Sequence, residues 1–241
     1  MNFSGYLGPA AVVRPLLAEP GEHLLWAASG GVFYYDIEGL DALGEPSRGM
    51  LNRGLRAVGG FAGDFLFEAL VGGDDSSPDK PPPADVIVFG QASGCLAHER
   101  IKTLGSAGKP GQWLWALSSN RLAVLGPRLA AAAASHKSEK TGLLKAALEF
   151  GKGVVNIATD RSRTYGPNLE GQPVARPDRQ IRLRFSRAEI AGAAVAERRA
   201  KLRSRPCFRM SFVDGSGLDF VLRTDDPAVF QRMATLSHGG D

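Results

Sequence analysis

Residues 181–222 constrain the fold more tightly than any other stretch of the chain. Ile181-Arg182-Leu183-Arg184-Phe185 and Cys207-Phe208-Arg209-Met210-Ser211-Phe212 alternate apolar and polar side chains. A period of two puts each set on its own side of a pleated strand, so both runs predict strands with one face in a core and the other in water. Asp214-Gly215-Ser216-Gly217 follows the second run and leads into Leu218-Asp219-Phe220-Val221-Leu222. Asp-Gly accepts the positive φ that a tight reversal needs, which makes this tetrapeptide a strong hairpin signal. Asp225-Asp226-Pro227 then opens a closing helix, with Asp at the cap, Pro in the first turn, and Val229, Phe230, Met233 and Leu236 on its buried side.

Earlier segments add to the same sheet-forming pattern. Pro20-Gly21 precedes the apolar run Leu24-Leu25-Trp26-Ala27-Ala28, which closes on Ser29-Gly30-Gly31 and reads as a first strand. Val32 to Tyr35 is expected to extend that pairing. Val86-Ile87-Val88-Phe89 is a further strand, and Trp113 to Leu117 and Arg121 to Leu125, separated by Ser118-Ser119-Asn120, form a hairpin. Leu96 to Leu104 has apolar spacing too loose to assign, and Gly105 to Gly111 is a turn-rich loop.

Two helical insertions interrupt the strands. Within residues 48–71, Leu51, Leu55, Val58, Ala62, Phe65 and Ala69 recur at spacings of three and four, a single stripe with Ser47 as N-cap and Gly72-Gly73 as stop. The second insertion covers 129–151, Ala-dense at its start and helical in spacing from Thr141 to Phe150. Residues 74–84 between the first insertion and the next strand form an exposed polar linker, stiffened by Pro81-Pro82-Pro83.

About seven short strands, meandering as hairpins and closed by one helix, predict a mainly β, α+β fold: one domain spanning 1–241, a small antiparallel barrel or sandwich capped by a C-terminal helix. Gly21 to Ala28 and Gln112 to Leu125, with its Asn120-Arg121-Leu122, resemble the opening strand and second hairpin of bacterial pleckstrin-homology-like and GRAM-like domains. Phe185-Ser186-Arg187-Ala188-Glu189-Ile190 resembles the strand entry of that family, and Phe208 to Leu222 its closing hairpin. The resemblance covers about half the chain and implies a scaffold that binds a lipid, protein segment or peptide and has no chemistry of its own. Family members that hold inositol phosphates carry basic residues in the first hairpin. Asp36, Glu38, Asp41 and Glu45 stand there in this chain and argue against a headgroup site.

Composition excludes several classes. The 241 residues are 44% hydrophobic and 22% charged, which removes collagen-like, wholly disordered and membrane-spanning chains. No signal peptide or transmembrane segment is read, and Cys95 and Cys207 stand alone without a metal-ligand partner, so a reducing, cytoplasmic setting is expected. Gly105-Ser106-Ala107-Gly108-Lys109 is followed by Pro110 where a phosphate loop needs Ser or Thr, and Ser93 lacks the flanking spacing of a nucleophile elbow. His98-Glu99 is the nearest thing to an acid–base pair, without a nucleophile motif beside it. Enzymatic activity, cofactors and metals are accordingly not expected.

Charge supplies the one functional pointer. Lys and Arg number 10 against 13 Asp and Glu in residues 1–128, and 19 against 12 in 129–241. Arg198, Arg199, Lys201, Arg203 and Arg205 crowd into eight positions with no acid among them. Such a cluster attracts anions, and it equally suits a solvated hairpin loop. The function expected is a non-catalytic binding module that contacts an acidic protein or anionic ligand, including an anionic membrane surface, through these five residues. Nucleic acid fits poorly, because no aromatic residues interleave the basic run. The alternative is a structural protein whose 48–71 helix forms a homodimer interface.

Overall fold

The structure, a computed structural model, describes residues 8–17, 19–47, 81–128, 164–165, 168–169, 178–200 and 203–240. Among the described residues nine strands build two sheets, in a mainly β, α+β architecture with a few short helices. The first sheet has the order β1 (Leu24–Ser29), β4 (Leu114–Ser118), β5 (Arg121–Pro127), β8 (Arg179–Ser186), antiparallel throughout. The second has the order β2 (Phe33–Ile37), β3 (Val86–Gly90), β11 (Gly217–Phe220), β10 (Arg203–Phe212), β9 (Ile190–Ala200). A two-residue ribbon, β6 (Thr164–Tyr165) with β7 (Asn168–Leu169), stands apart from both.

Alternation places the core between the sheets. Trp26, Trp115, Leu117, Leu122, Val124 and Phe185 of the first sheet share one buried cluster with Val86, Val88, Phe208, Met210, Phe212 and Phe220 of the second. Trp26 meets Phe208 and Phe220 edge-to-face at 5.6 and 5.5 Å, and Phe185 stacks on Phe212 at 4.3 Å. Aromatic pairs in these geometries add to simple burial. Helix α3 (Pro227–Ser237) sends Phe230 and Met233 into the same cluster, and its cap is the expected one: the Ala228 N–H donates to Asp226 at 2.9 Å. The outer face of the first sheet is covered by α1 (Pro9–Val13), whose Val12 and Val13 pack with Leu114, Ala116, Ala123 and Leu125.

The sheets are joined at two corners. Between β8 and β9 a single 3₁₀ turn, Arg187–Glu189, is held by a capping box in which the Ser186 N–H donates to Glu189 at 2.7 Å. Between β1 and β2 the corner is Gly30-Gly31. An added Cβ at Gly31 would lie 2.2 Å from the Gly111 carbonyl oxygen, and the Gly111 N–H donates to Gly31 O at 2.8 Å, so the backbones touch where no side chain fits. Asp85 fixes the corner by accepting from the Gly31 and Val32 N–H groups at 2.7 and 2.8 Å, and Arg223 pairs with it at 2.8 Å.

That corner corrects one expectation. Val32 to Tyr35 does not extend the first strand's sheet; the Gly30-Gly31 turn sends it across the core as β2, which pairs with β3 in parallel. The second sheet is therefore mixed, and the two sheets hold nine strands among the described residues, where about seven were expected. Leu96 to Leu104, unassigned from sequence, is helix α2 (Leu96–Ile101) followed by a 3₁₀ turn, with Ala97, Ile101 and Leu104 buried at helical spacing. At the end of the linker Ala84 is buried and the Tyr34 hydroxyl donates to Pro82 O at 2.8 Å, so this part packs instead of standing in solvent. The helices expected within 48–72 and 129–151 lie outside the described residues. No helix among the described residues is long and apolar enough to cross a membrane.

Candidate functional site

The basic run falls on the hairpin of β9 and β10. Their pairing runs from Arg203↔Ala200 to Phe212↔Ile190, with a register shift after Ser211↔Gly192, whereas β11 pairs only with Phe208 to Ser211 of β10. Residues 196–207 therefore extend past the end of β11 as a two-stranded arm. Pro206 is compatible with this position, because it stands opposite Glu197 beyond the last β11 pair, where its missing N–H leaves no ladder bond unmade.

The base of the arm is tied down by carboxylates. Arg198 Nη1 donates to Asp219 at 2.5 Å, and its Nη2 donates to Asp36. Arg209 forks onto the same Asp219 carboxylate, Nε at 2.7 Å and Nη2 at 2.8 Å, and its guanidinium lies 4.8 Å from the Phe89 ring centre. The Asp219 side chain has no exposure at all, so its charge is balanced by two guanidinium groups instead of water. The bond to Asp219 holds the Arg209 proton more tightly than usual, against the opposing effect of burial. Beside them the Cys207 thiol is pushed up to about 12, first by burial and then by the Asp219 charge, which makes it inert.

Arg198 is thus no part of a solvated loop. It is buried and its charge is consumed internally, because strand register brings Asp219 and the sequence-distant Asp36 onto the same face. Arg205 pairs with Asp225 at 2.7 Å. Arg199 and Arg203 occupy register positions opposite Ser204 and Ala200 at the end of the arm, and Lys201 lies outside the described residues. Of the five basic residues, Arg198 and Arg205 are engaged by carboxylates, and the backbones of Arg199 and Arg203 lie at the end of the arm. The acidic stretch after β1 and the basic run also meet, since Asp36 is one of the carboxylates that Arg198 engages.

The other candidates resolve into local structure. His98 lies on α2, its Nδ1 against the Ser93 carbonyl and its ring edge-on to Tyr35 at 5.3 Å. Its neighbour Glu99 is held by Lys102 at 2.6 Å, and the bond to Lys102 keeps the Glu99 carboxyl below its usual range. Cys95 is half-buried, with Cys207 the fully buried one of the pair. Among the described residues no three His, Cys, Asp or Glu side chains are grouped to hold a metal ion. Asp214, read from sequence only as a turn residue, also accepts the Leu96 N–H at 2.6 Å and the Ser216 hydroxyl at 2.6 Å. Burial opposes ionisation of Asp214, but these bonds outweigh it and hold the carboxyl below its ordinary value.

Asp219, the residue that organises the site, went unremarked in the sequence. A signal existed: it is a carboxylate between Leu218 and Phe220, at the outward position of an alternating strand whose two neighbours point into the core. Comparison with family models, with curated proteins and with solved structures finds no match for this chain.

Proposed function

We propose that the chain is a non-catalytic binding module of pleckstrin-homology-like type that contacts an acidic protein or other anionic ligand through the end of the β9–β10 hairpin. The carrying observation is the division of the basic run. Arg198 and Arg205 are held by Asp219, Asp36 and Asp225 and anchor the arm, and the sequence sets Arg199, Lys201 and Arg203 between them with no acid from 198 to 205. A run of like charge carried by an anchored hairpin attracts an anion. The family reading is supported by two sheets joined at two corners, a C-terminal helix packed into the core, and the placing of the resembling segments on β1, β4–β5 and β10–β11.

The test is binding of a fluorescent heparin oligosaccharide followed by anisotropy. Replacing Arg199, Lys201 and Arg203 together with Ser is expected to abolish most of the binding while thermal stability is retained. Equal binding by the triple variant rejects the assignment.

A further inference from the structure

We infer that the partner is an extended acidic segment of another protein, which adds as a sixth strand to the open edge of β9. This deepens the proposed function and rests on it for the sign of the partner's charge. Cross-strand hydrogen-bonded pairs alternate along a hairpin, and the pair Arg203↔Ala200 closes this one across a two-residue connection. From Gly192 to Ala200 the even-numbered residues of β9 therefore bond to β10, and the N–H and C=O groups of Ala193, Val195 and Glu197 point outward. One contact agrees with this parity: Ala193 O receives the His238 ring at 2.9 Å. Among the described residues nothing pairs with the outward groups of Val195 and Glu197.

The opposite edge of the same sheet shows what a protected edge looks like here. On β2, the Tyr35 N–H donates to Ala42 O at 3.0 Å and Phe33 O accepts from the Gly108 N–H at 2.9 Å, so two loops close it. On β9 the His238 ring covers Ala193 O, but among the described residues no loop bonds to Val195, and Ile190-Ala191-Gly192-Ala193-Ala194-Val195-Ala196 holds no Lys, Pro or charge of any kind. An uncharged, unpaired edge is a template for another strand. Its small side chains leave room for larger ones on the incoming strand, and Val195, exposed on the same face as the buried Ala193, offers an apolar contact beside the core. Glu197, the one acid nearby, is occupied by the Ser204 hydroxyl at 2.8 Å. Beyond it the strand enters the basic run, so the incoming segment is apolar beside Val195 and acidic at the end that runs alongside position 199 of β9.

The experiment uses the full chain and an end-blocked peptide of about ten residues, alternating Val and Thr in one half and Glu-rich in the other, titrated to millimolar by anisotropy, with amide hydrogen exchange read at β9. Binding is expected to protect the Val195 and Glu197 amides. N-methylation of alternate peptide nitrogens should weaken it about tenfold, since half of its backbone donors are removed. Val195→Pro, which deletes an outward N–H and no ladder bond to β10, should weaken it as much and leave heparin binding unchanged. Methylated and plain peptides binding alike, or no protection at β9 at millimolar peptide, overturns the inference even if the Pro variant misfolds. A concentration-dependent dimer that masks the edge, read by light scattering, assigns it to a second copy and also overturns it. If Val195→Pro spares the peptide while the tip variant loses heparin, strand addition fails and the proposed function stands. Peptide binding lost in Val195→Pro, with heparin indifferent to the tip variant, supports strand addition and rejects the basic tip.

Discussion

Arg198 and Asp219, 21 positions apart in sequence, meet at 2.5 Å on the outer face of the second sheet, with the carboxylate fully enclosed. Arg209 completes the fork from the other side. Strands β9, β10 and β11 are therefore joined by a charge lattice as well as by their ladders. Removing its centre leaves two guanidinium groups without their partner, and breaking a buried pair in this way costs about 3–5 kcal/mol. Asp219→Asn is expected to lower stability by about 3 kcal/mol in urea denaturation. A change within the range of an ordinary surface substitution, about 0.5 kcal/mol, contradicts the role given to Asp219.

The Gly30-Gly31 corner makes a sharper steric claim. At Gly31 a methyl group meets backbone oxygen, which cannot rotate away, whereas at Gly21 nothing lies within 4 Å and only the positive φ of 76° opposes substitution. Gly31→Ala should cost more than about 2 kcal/mol and Gly21→Ala about 1 kcal/mol. Equal midpoint shifts for the two variants would remove the case for a tight corner.

Trp26 Nε1 donates to Ser237 Oγ at 2.8 Å, and that hydroxyl donates in turn to Met233 O at 2.7 Å, tying the first strand to the last helix. Ser237→Ala strands a buried indole N–H, for which about 1–3 kcal/mol is expected. Hydrogen exchange should show α3 loosening before the first sheet does; uniform loosening of both would argue against a local tie.

Asp214 links the β10–β11 hairpin to the start of α2 through the Leu96 N–H. Its carboxyl is held below the ordinary value of 3.8, so it stabilises the fold fully above that value and loses the contribution as pH falls through the depressed one. Asp214→Ala should cost about 1 kcal/mol at neutral pH, as loss of a capping side chain does. The difference between the variant and the parent chain should shrink in acid, and a gap that stays constant down to about pH 2 contradicts the mechanism.

Features decided within a few residues were legible in the sequence, and features decided by distant partners were not. The Ser119-Asn120 hairpin, the Asp214-Gly215 reversal and the Asp226-Pro227 helix start are local chemistry, and each stands where alternation and turn residues place it. The parallel pairing of β2 with β3 joins residues about fifty positions apart, and a short apolar run such as Phe33-Tyr34-Tyr35 carries no mark of which sheet will take it. Helix α2 was obscured because six residues give less than two turns of periodicity. Among the site residues, the basic run was conspicuous as charge. The burial of Arg198 depends on Asp36, 162 positions away, and no spacing within 198–205 could have separated anchors from tip.

The salt dependence of anion binding tests the central claim most directly. For heparin oligosaccharide, the plot of log affinity against log salt should have a slope shallower by about two to three in the Arg199→Ser, Lys201→Ser, Arg203→Ser variant than in the parent chain, because each lost contact releases about one counterion fewer. Asp214→Ala, beyond the opposite end of β10, should leave that slope unchanged. A triple variant with the parent's slope and affinity contradicts recognition through the hairpin tip.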